Sequence, residues 1–183
     1  MLALLLAGLS WPAFAREMTA YQLVKEADRY VGEDVKDQVV ELRSEKSIGG
    51  LVPNIWFVTF YDPDATFKAT EIKFGAGKKL EVKRPARVLE WNTKDSQKLD
   101  PKKLNVDSDK AISIATKEPV LKGLNLKATQ LWLEHSSDGP VWKVRIWAAK
   151  LRNPNDDANL GEVYVKADDG TVTKDDLHID RVD

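Results

Sequence analysis

Cysteine is absent from the 183 residues. That absence removes disulfides, thiolate metal sites, cysteine nucleophiles and the acylated cysteine of a bacterial lipoprotein. Histidine is scarce: His135 and His178 are the whole supply. No His-Glu-x-x-His run or Gly-x-Ser-x-Gly elbow occurs, and His135, Ser136 and Asp138 sit too close together on one turn to adopt triad geometry. No apolar run is long enough to span a bilayer. An excess of charge is missing as well, since 28 basic and 29 acidic side chains leave a net charge of −1. No global field therefore draws the chain to nucleic acid or anionic lipid. The largest basic clusters, Lys78-Lys79 and Lys102-Lys103, are too small to argue for nucleic acid.

What is present is 43% hydrophobic and 31% charged residues, the balance of a soluble globular protein with one full core or two small ones. Residues 1–15 read as a signal peptide: Leu2-Ala-Leu-Leu-Leu-Ala-Gly-Leu9 is a short apolar core and Ala13-Phe-Ala15 a small-x-small cleavage site. The expectation is a mature chain of residues 16–183, periplasmic or secreted, with no stable membrane insertion after cleavage.

The most informative stretch is Gly139-Pro-Val-Trp-Lys-Val-Arg-Ile-Trp-Ala148. Trp142, Val144, Ile146 and Ala148 fall on one face; Val141, Lys143, Arg145 and Trp147 fall on the other. Alternation of this kind predicts a half-buried antiparallel strand. Around it the chain reads as one plan used twice. Thr19 and Gln22 form a capping box before Ala20, Leu23, Val24, Ala27 and Val31 at helical spacing. Strands are expected at Gln38–Glu45, Ile55–Tyr61, Phe67–Phe74 and Lys79–Lys83. The polar stretch 85–107 is a candidate linker, partly pinned by Val88, Leu89 and Trp91. Asp107 or Ser108 then caps a second helix carrying Ala111, Ile114 and Ala115. Strands follow at Leu126–His135, 141–149, Glu162–Ala167 and Thr171–Lys174, and Asp175–Asp183 forms an acidic tail.

Laid against each other, Trp56, Val58 and Phe60 match Trp142, Val144 and Ile146, and Ile72 and Phe74 match Val163 and Val165. The predicted fold is α+β, two helix-on-antiparallel-sheet repeats at 16–84 and 108–183.

Tryptophans on strands are candidates for binding. Parity assigns Trp142 to the core. Trp147, beside Lys143 and Arg145, and Trp132, in phase with Gln130 and Glu134, go to the outer face. Trp132, Lys143, Arg145 and Trp147 are therefore the candidate partner-binding residues. The loop 155–161 has oxygen ligands at Asn155, Asp157 and Asn159, but Leu160 stands where a calcium loop needs glycine and Lys166 where it needs glutamate. No catalytic, metal or cofactor residue is assigned.

The second half resembles the PepSY-like family of small exported bacterial domains. The residues that carry the resemblance are the helix Asp109–Glu118, the Trp-x-Val strand through Trp142 and Val144, and the closing run Gly161-Glu-Val-Tyr-Val-Lys-Ala-Asp-Asp-Gly-Thr-Val172. The tandem layout also resembles that of the β-lactamase-inhibitory protein. The resemblance implies a non-catalytic, cofactor-free module that binds or inhibits another exported protein, a peptidase being the partner class it points to. No functional residue carries over from the family. The rivals are a carboxylate-based hydrolase and a small-ligand carrier.

Overall fold

Alternating strands joined by short turns leave one question open, namely which edges meet. The computed structural model, which describes residues 18–84 and 95–183, answers it with one eight-stranded antiparallel sheet. The strands are β1 (Val39–Ser44), β2 (Ile55–Tyr61), β3 (Ala69–Gly75), β4 (Lys78–Lys83), β5 (Leu126–Ser136), β6 (Gly139–Ala149), β7 (Asp157–Lys166) and β8 (Val172–Leu177). Their order is β4-β3-β2-β1-β5-β6-β7-β8. Each half is a four-stranded meander, and the two join along β1 and β5. The expected signal segment 1–15 lies outside the described residues, as do Val88, Leu89 and Trp91.

The joint is short in backbone register: Glu41, Leu42 and Arg43 face Glu134, Leu133 and Trp132. Beyond Ser44 buried hydroxyls continue it. Ser44 Oγ accepts from the Leu131 N–H (2.9 Å), and Ser47 Oγ accepts from the Thr129 N–H (2.9 Å). The Thr129 hydroxyl in turn donates to the Leu51 carbonyl (2.6 Å). These three buried polar side chains satisfy backbone groups that no strand partner reaches.

One sheet face is apolar throughout. Leu42, Trp56, Val58, Phe60, Ile72 and Phe74 from the first half meet Leu131, Leu133, Trp142, Val144, Ile146, Val163 and Val165 from the second in one core. Two helices lie on it, α1 (Ala20–Ala27) on β2 and α2 (Ser108–Ala115) on β6 and β7. In α1 the expected capping box forms, the Thr19 N–H donating to Gln22 Oε1 (2.9 Å). The next two N–H groups of α1 find acceptors at the start of α2: Ala20 donates to Ser108 Oγ (3.0 Å) and Tyr21 to Asp107 Oδ1 (3.1 Å). Asp107 also caps its own helix through the Ser108 N–H (2.6 Å). One residue pair thus serves the orphan donors of two helix N-termini.

Beneath that joint the Val106 carbonyl accepts from both the Tyr21 hydroxyl and Trp142 Nε1, each at 2.7 Å. Burial pushes the Tyr21 hydroxyl pKa up, which keeps it protonated and donating. Trp142 stacks on Tyr21 at 6.1 Å and meets Trp56 edge-on at 6.4 Å.

The expectation of an α+β protein built from two helix-on-antiparallel-sheet repeats is overturned. The described residues are sheet-dominated, forming a single eight-stranded sheet with two helices of eight residues. The reason is one of size. An eight-residue helix is about 12 Å long, whereas eight strands span roughly 34 Å. Neither helix closes a sheet of its own. Much of the cover comes from irregular chain, through Leu99, Val106, Leu121 and Val182. Of the candidate linker, residues 95–107 include two short 3-10 turns and lie against the sheet, Leu99 N–H bonding the Val39 carbonyl and Asn105 and Val106 the Ala167 carbonyl. The C-terminal acids behave likewise: β8 runs on to Leu177, and Val182 is buried with its carbonyl accepting from Leu151.

Strand β1 is irregular at its start. A bulge between Val39 and Glu41 breaks strict alternation, so Val39 pairs with Phe60 and joins the core together with Leu42.

Replacing Ser44 by alanine would leave the Leu131 N–H buried without its acceptor. The expected cost is about 1–3 kcal/mol, read by urea unfolding, whereas Ser136→Ala at the half-exposed end of β5 should stay within about 0.5 kcal/mol of wild type.

Candidate binding face

Alternation that buries one side chain sends the next to the opposite face, and the register decides which of these meet. On the face that α1 and α2 leave uncovered, one line of cross-strand partners reads Lys73 (β3), Phe57 (β2), Arg43 (β1), Trp132 (β5), Lys143 (β6), Tyr164 (β7) and Lys174 (β8). Cation and aromatic ring alternate across seven strands. The cations lie against the rings: Arg43 is 3.7 Å and Lys73 5.0 Å from the Phe57 centroid, and Lys143 and Lys174 are 5.8 and 5.2 Å from that of Tyr164. Arg145, one pair further along β6, is 4.7 Å from the Trp132 ring. Such contacts bring about 0.5–1 kcal/mol each at exposed sites. They also explain why Phe57 is buried on an open face.

Acids flank this line on both sides. Arg43 bonds Glu71 (2.7 Å), Lys143 pairs with Glu134 (2.5 Å), and Arg145 reaches Glu162 through both Nε and Nη2 (3.0 and 2.5 Å). Tyr164 donates its hydroxyl to the other oxygen of Glu162 (3.0 Å). The face is thus nearly charge-balanced and held in place by its own pairs.

All four sequence-assigned residues lie on this face, and all four are half-buried. Trp132 and Lys143 are direct cross-strand neighbours, and Arg145 sits over Trp132. Trp147 is set apart. It stands opposite Ala128 and Asn159, with Lys46 at 4.9 Å from its ring. Trp56 and Trp142 are core residues. Sequence reasoning missed Arg43, Phe57, Lys73, Tyr164 and Lys174. The apolar run of β2 gave no polarity signal to turn Phe57 outward, and alignment of five separate strands is a property of register alone.

Glu41 is electrostatically awkward. It lies between Thr59 and Glu134 across the sheet. Its Oε1 is buried without a hydrogen-bond partner, 3.5 Å from Arg43 Nε, which is also unsatisfied. Desolvation raises its pKa above the ordinary carboxyl value, Glu134 and Glu71 add to the rise, and Arg43 and Lys143 oppose it.

Other acidic groups have structural partners. Asp62, buried, accepts from the Asp64 N–H and the Thr70 hydroxyl (2.6 Å) and so holds the β2–β3 turn. In the loop 155–161, Asp157 pairs with Lys46 (2.7 Å) and Asn159 accepts from the Gly161 N–H (2.9 Å). Among the described residues no group of three or more His, Asp or Glu is placed to hold a metal ion. His135 and His178 are exposed, His178 lying 3.4 Å from Asp176.

Two hollows lie away from this line. One of about 740 Å³ is lined by Glu45–Gly50, Leu126–Ala128, Pro154, Asn155 and Asp157. The other, about 280 Å³, is walled by Tyr21, Val24, Val39, Leu99 and Leu104, with Lys25, Asp28 and Asp37 also lining it. Among the described residues no helix is long and apolar enough to cross a membrane. Comparison with known proteins gives no match, whether to family models, to curated proteins or to solved structures.

Because the Glu41 pKa is raised on folding, the folded state holds its proton more tightly than the unfolded chain. Stability from this group is therefore present below the unfolded value and is lost as pH rises through the folded one. Glu41→Gln should accordingly stabilise the protein at pH 7. The gain in Tm should shrink as pH falls towards 4, as followed by thermal unfolding across that range.

Proposed function

We propose that the chain is an exported, non-catalytic binding module of the PepSY-like kind, which holds another exported protein on the uncovered face of its sheet. Peptidases are the partner class that the resemblance points to. The observation that supports this reading is the line of alternating cations and rings from Lys73 to Lys174. Aromatic and guanidinium groups supply most hot spots of protein interfaces. Here they are fixed in advance by cross-strand pairing, so less side-chain freedom is lost on binding. A partner carboxylate can compete with Glu162 for Arg145 or with Glu134 for Lys143, the displaced acid turning to solvent and Glu162 keeping the Tyr164 hydroxyl as donor.

A second reading, a small-ligand carrier, has one specific support. The 280 Å³ hollow combines an apolar wall with a charged rim, the make-up of a site for a small amphipathic molecule, although it falls just below the usual volume of such sites. Native mass spectrometry of the purified protein distinguishes the two, since a carrier retains a small molecule and a protein-binding module does not.

The direct test is capture from periplasmic extract with the chain 16–183, followed by titration of the captured partner. Trp132→Ala and Arg145→Ala should each weaken binding at least about tenfold with little change in Tm. Unchanged affinity in both variants would place the contact elsewhere.

A further inference from the structure

The sheet is open, and its two ends are chemically opposite. Among the described residues no strand pairs with the outer side of β4 or of β8. Every residue of β4 is exposed, Leu80 by 55% and Val82 by 42%. Residues 78–84 carry Lys78, Lys79, Lys83 and Arg84 against the single acid Glu81. At the far end, residues 168–183 hold six aspartates against Lys174 and Arg181. Lysines on an edge strand oppose pairing with a like edge. They do not oppose an acidic one.

Topology makes the two ends compatible. Seven successive antiparallel steps separate β4 from β8, so the two strands run in opposite directions. A second copy placed beside the first without being turned over therefore meets it as an antiparallel pair, β4 against β8, with core face continuing into core face. The residue registers agree. Val82 lies on the core face opposite Ile72, and Leu177 on the same face opposite Gly161. Lys83 and Asp176 both lie on the uncovered face, opposite Glu71 and Glu162. Setting Val82 against Leu177 places Lys83 against Asp176 and Arg84 against Asp175. Apolar meets apolar, and these two cations meet acids. The ion pairs of Lys83 with Glu81 and of Lys174 and His178 with Asp176 within one copy are exposed and so cost little to exchange, while Arg84 is also 3.5 Å from the buried Asp62.

We infer that the chain associates with itself head to tail, the basic β4 edge of one copy pairing with the acidic β8 edge of the next. The contact is heterologous. With the native twist of the sheet it propagates as a ring or a helical filament, and it does not stop at a two-fold dimer. It uses the sheet edges, and it stands whatever the uncovered face binds.

Sedimentation velocity on the mature chain tests this. Wild type should show association that grows with concentration and weakens as salt is raised. Lys83→Asp and Asp176→Lys should each weaken it about tenfold, because like charges then stand opposite one another. The double variant carrying both changes should recover it, and so should a mixture of the two single variants. Thermal unfolding verifies that each exposed substitution leaves the fold intact. A wild-type chain that stays monomeric at every concentration overturns the inference. So does association that ignores both single variants, or a double variant that fails to recover.

Discussion

Three residue pairs along β1 and β5, extended by the hydroxyls of Ser44, Ser47 and Thr129, make one molecule out of two meanders. Without that seam each half would be a four-stranded sheet with β1 or β5 as a bare inner edge, and edges of that kind invite mispairing. With it the cores merge, since Leu42 lies against Leu133 as directly as against Val58. The uncovered faces merge too: Arg43 stands beside Trp132, and the line from Lys73 to Lys174 becomes continuous.

Above the core, a second constraint fixes the cover. Asp107 and Ser108 bind the first N–H groups of α1, and the Val106 carbonyl receives both Tyr21 and Trp142. Two helices too short to be stable alone are thereby locked to each other and to the central tryptophan. The division of labour between the faces follows. Helices and irregular chain seal one, while the other stays open and keeps its charges paired within the sheet. An open face of this kind is rigid, nearly neutral and rich in rings, which is the physical basis for proposing that it binds a partner protein.

Much of this architecture was legible in the sequence. The alternation of β6 placed Trp142 inward and Arg145 and Trp147 outward, and the Thr19–Gln22 box started α1 where it was expected. The match of Trp56, Val58 and Phe60 with Trp142, Val144 and Ile146 likewise names residues that share one core. What stayed hidden depends on relations between distant segments. The bulge at Val39 flips a parity. Leu99 and Val106 lie in a polar stretch whose anchoring comes from backbone hydrogen bonds, and β7 begins at Asp157, inside what reads as a turn-rich loop. Nothing local to β1 or β5 says that they pair, and the fold class was misjudged because helices of eight residues cover too little of the sheet to make helix-on-sheet repeats.

The seam is therefore the place to measure. Amide hydrogen exchange followed by NMR on the chain 16–183 reports the opening free energy of each strand. If β1 and β5 join the halves into one cooperative sheet, the amides of Leu131 and Leu133 should exchange only by global unfolding, with the same free energy as Val58 and Val144 in the two half-cores. Seam amides that exchange at markedly lower free energy, with the two halves opening independently, would contradict the account.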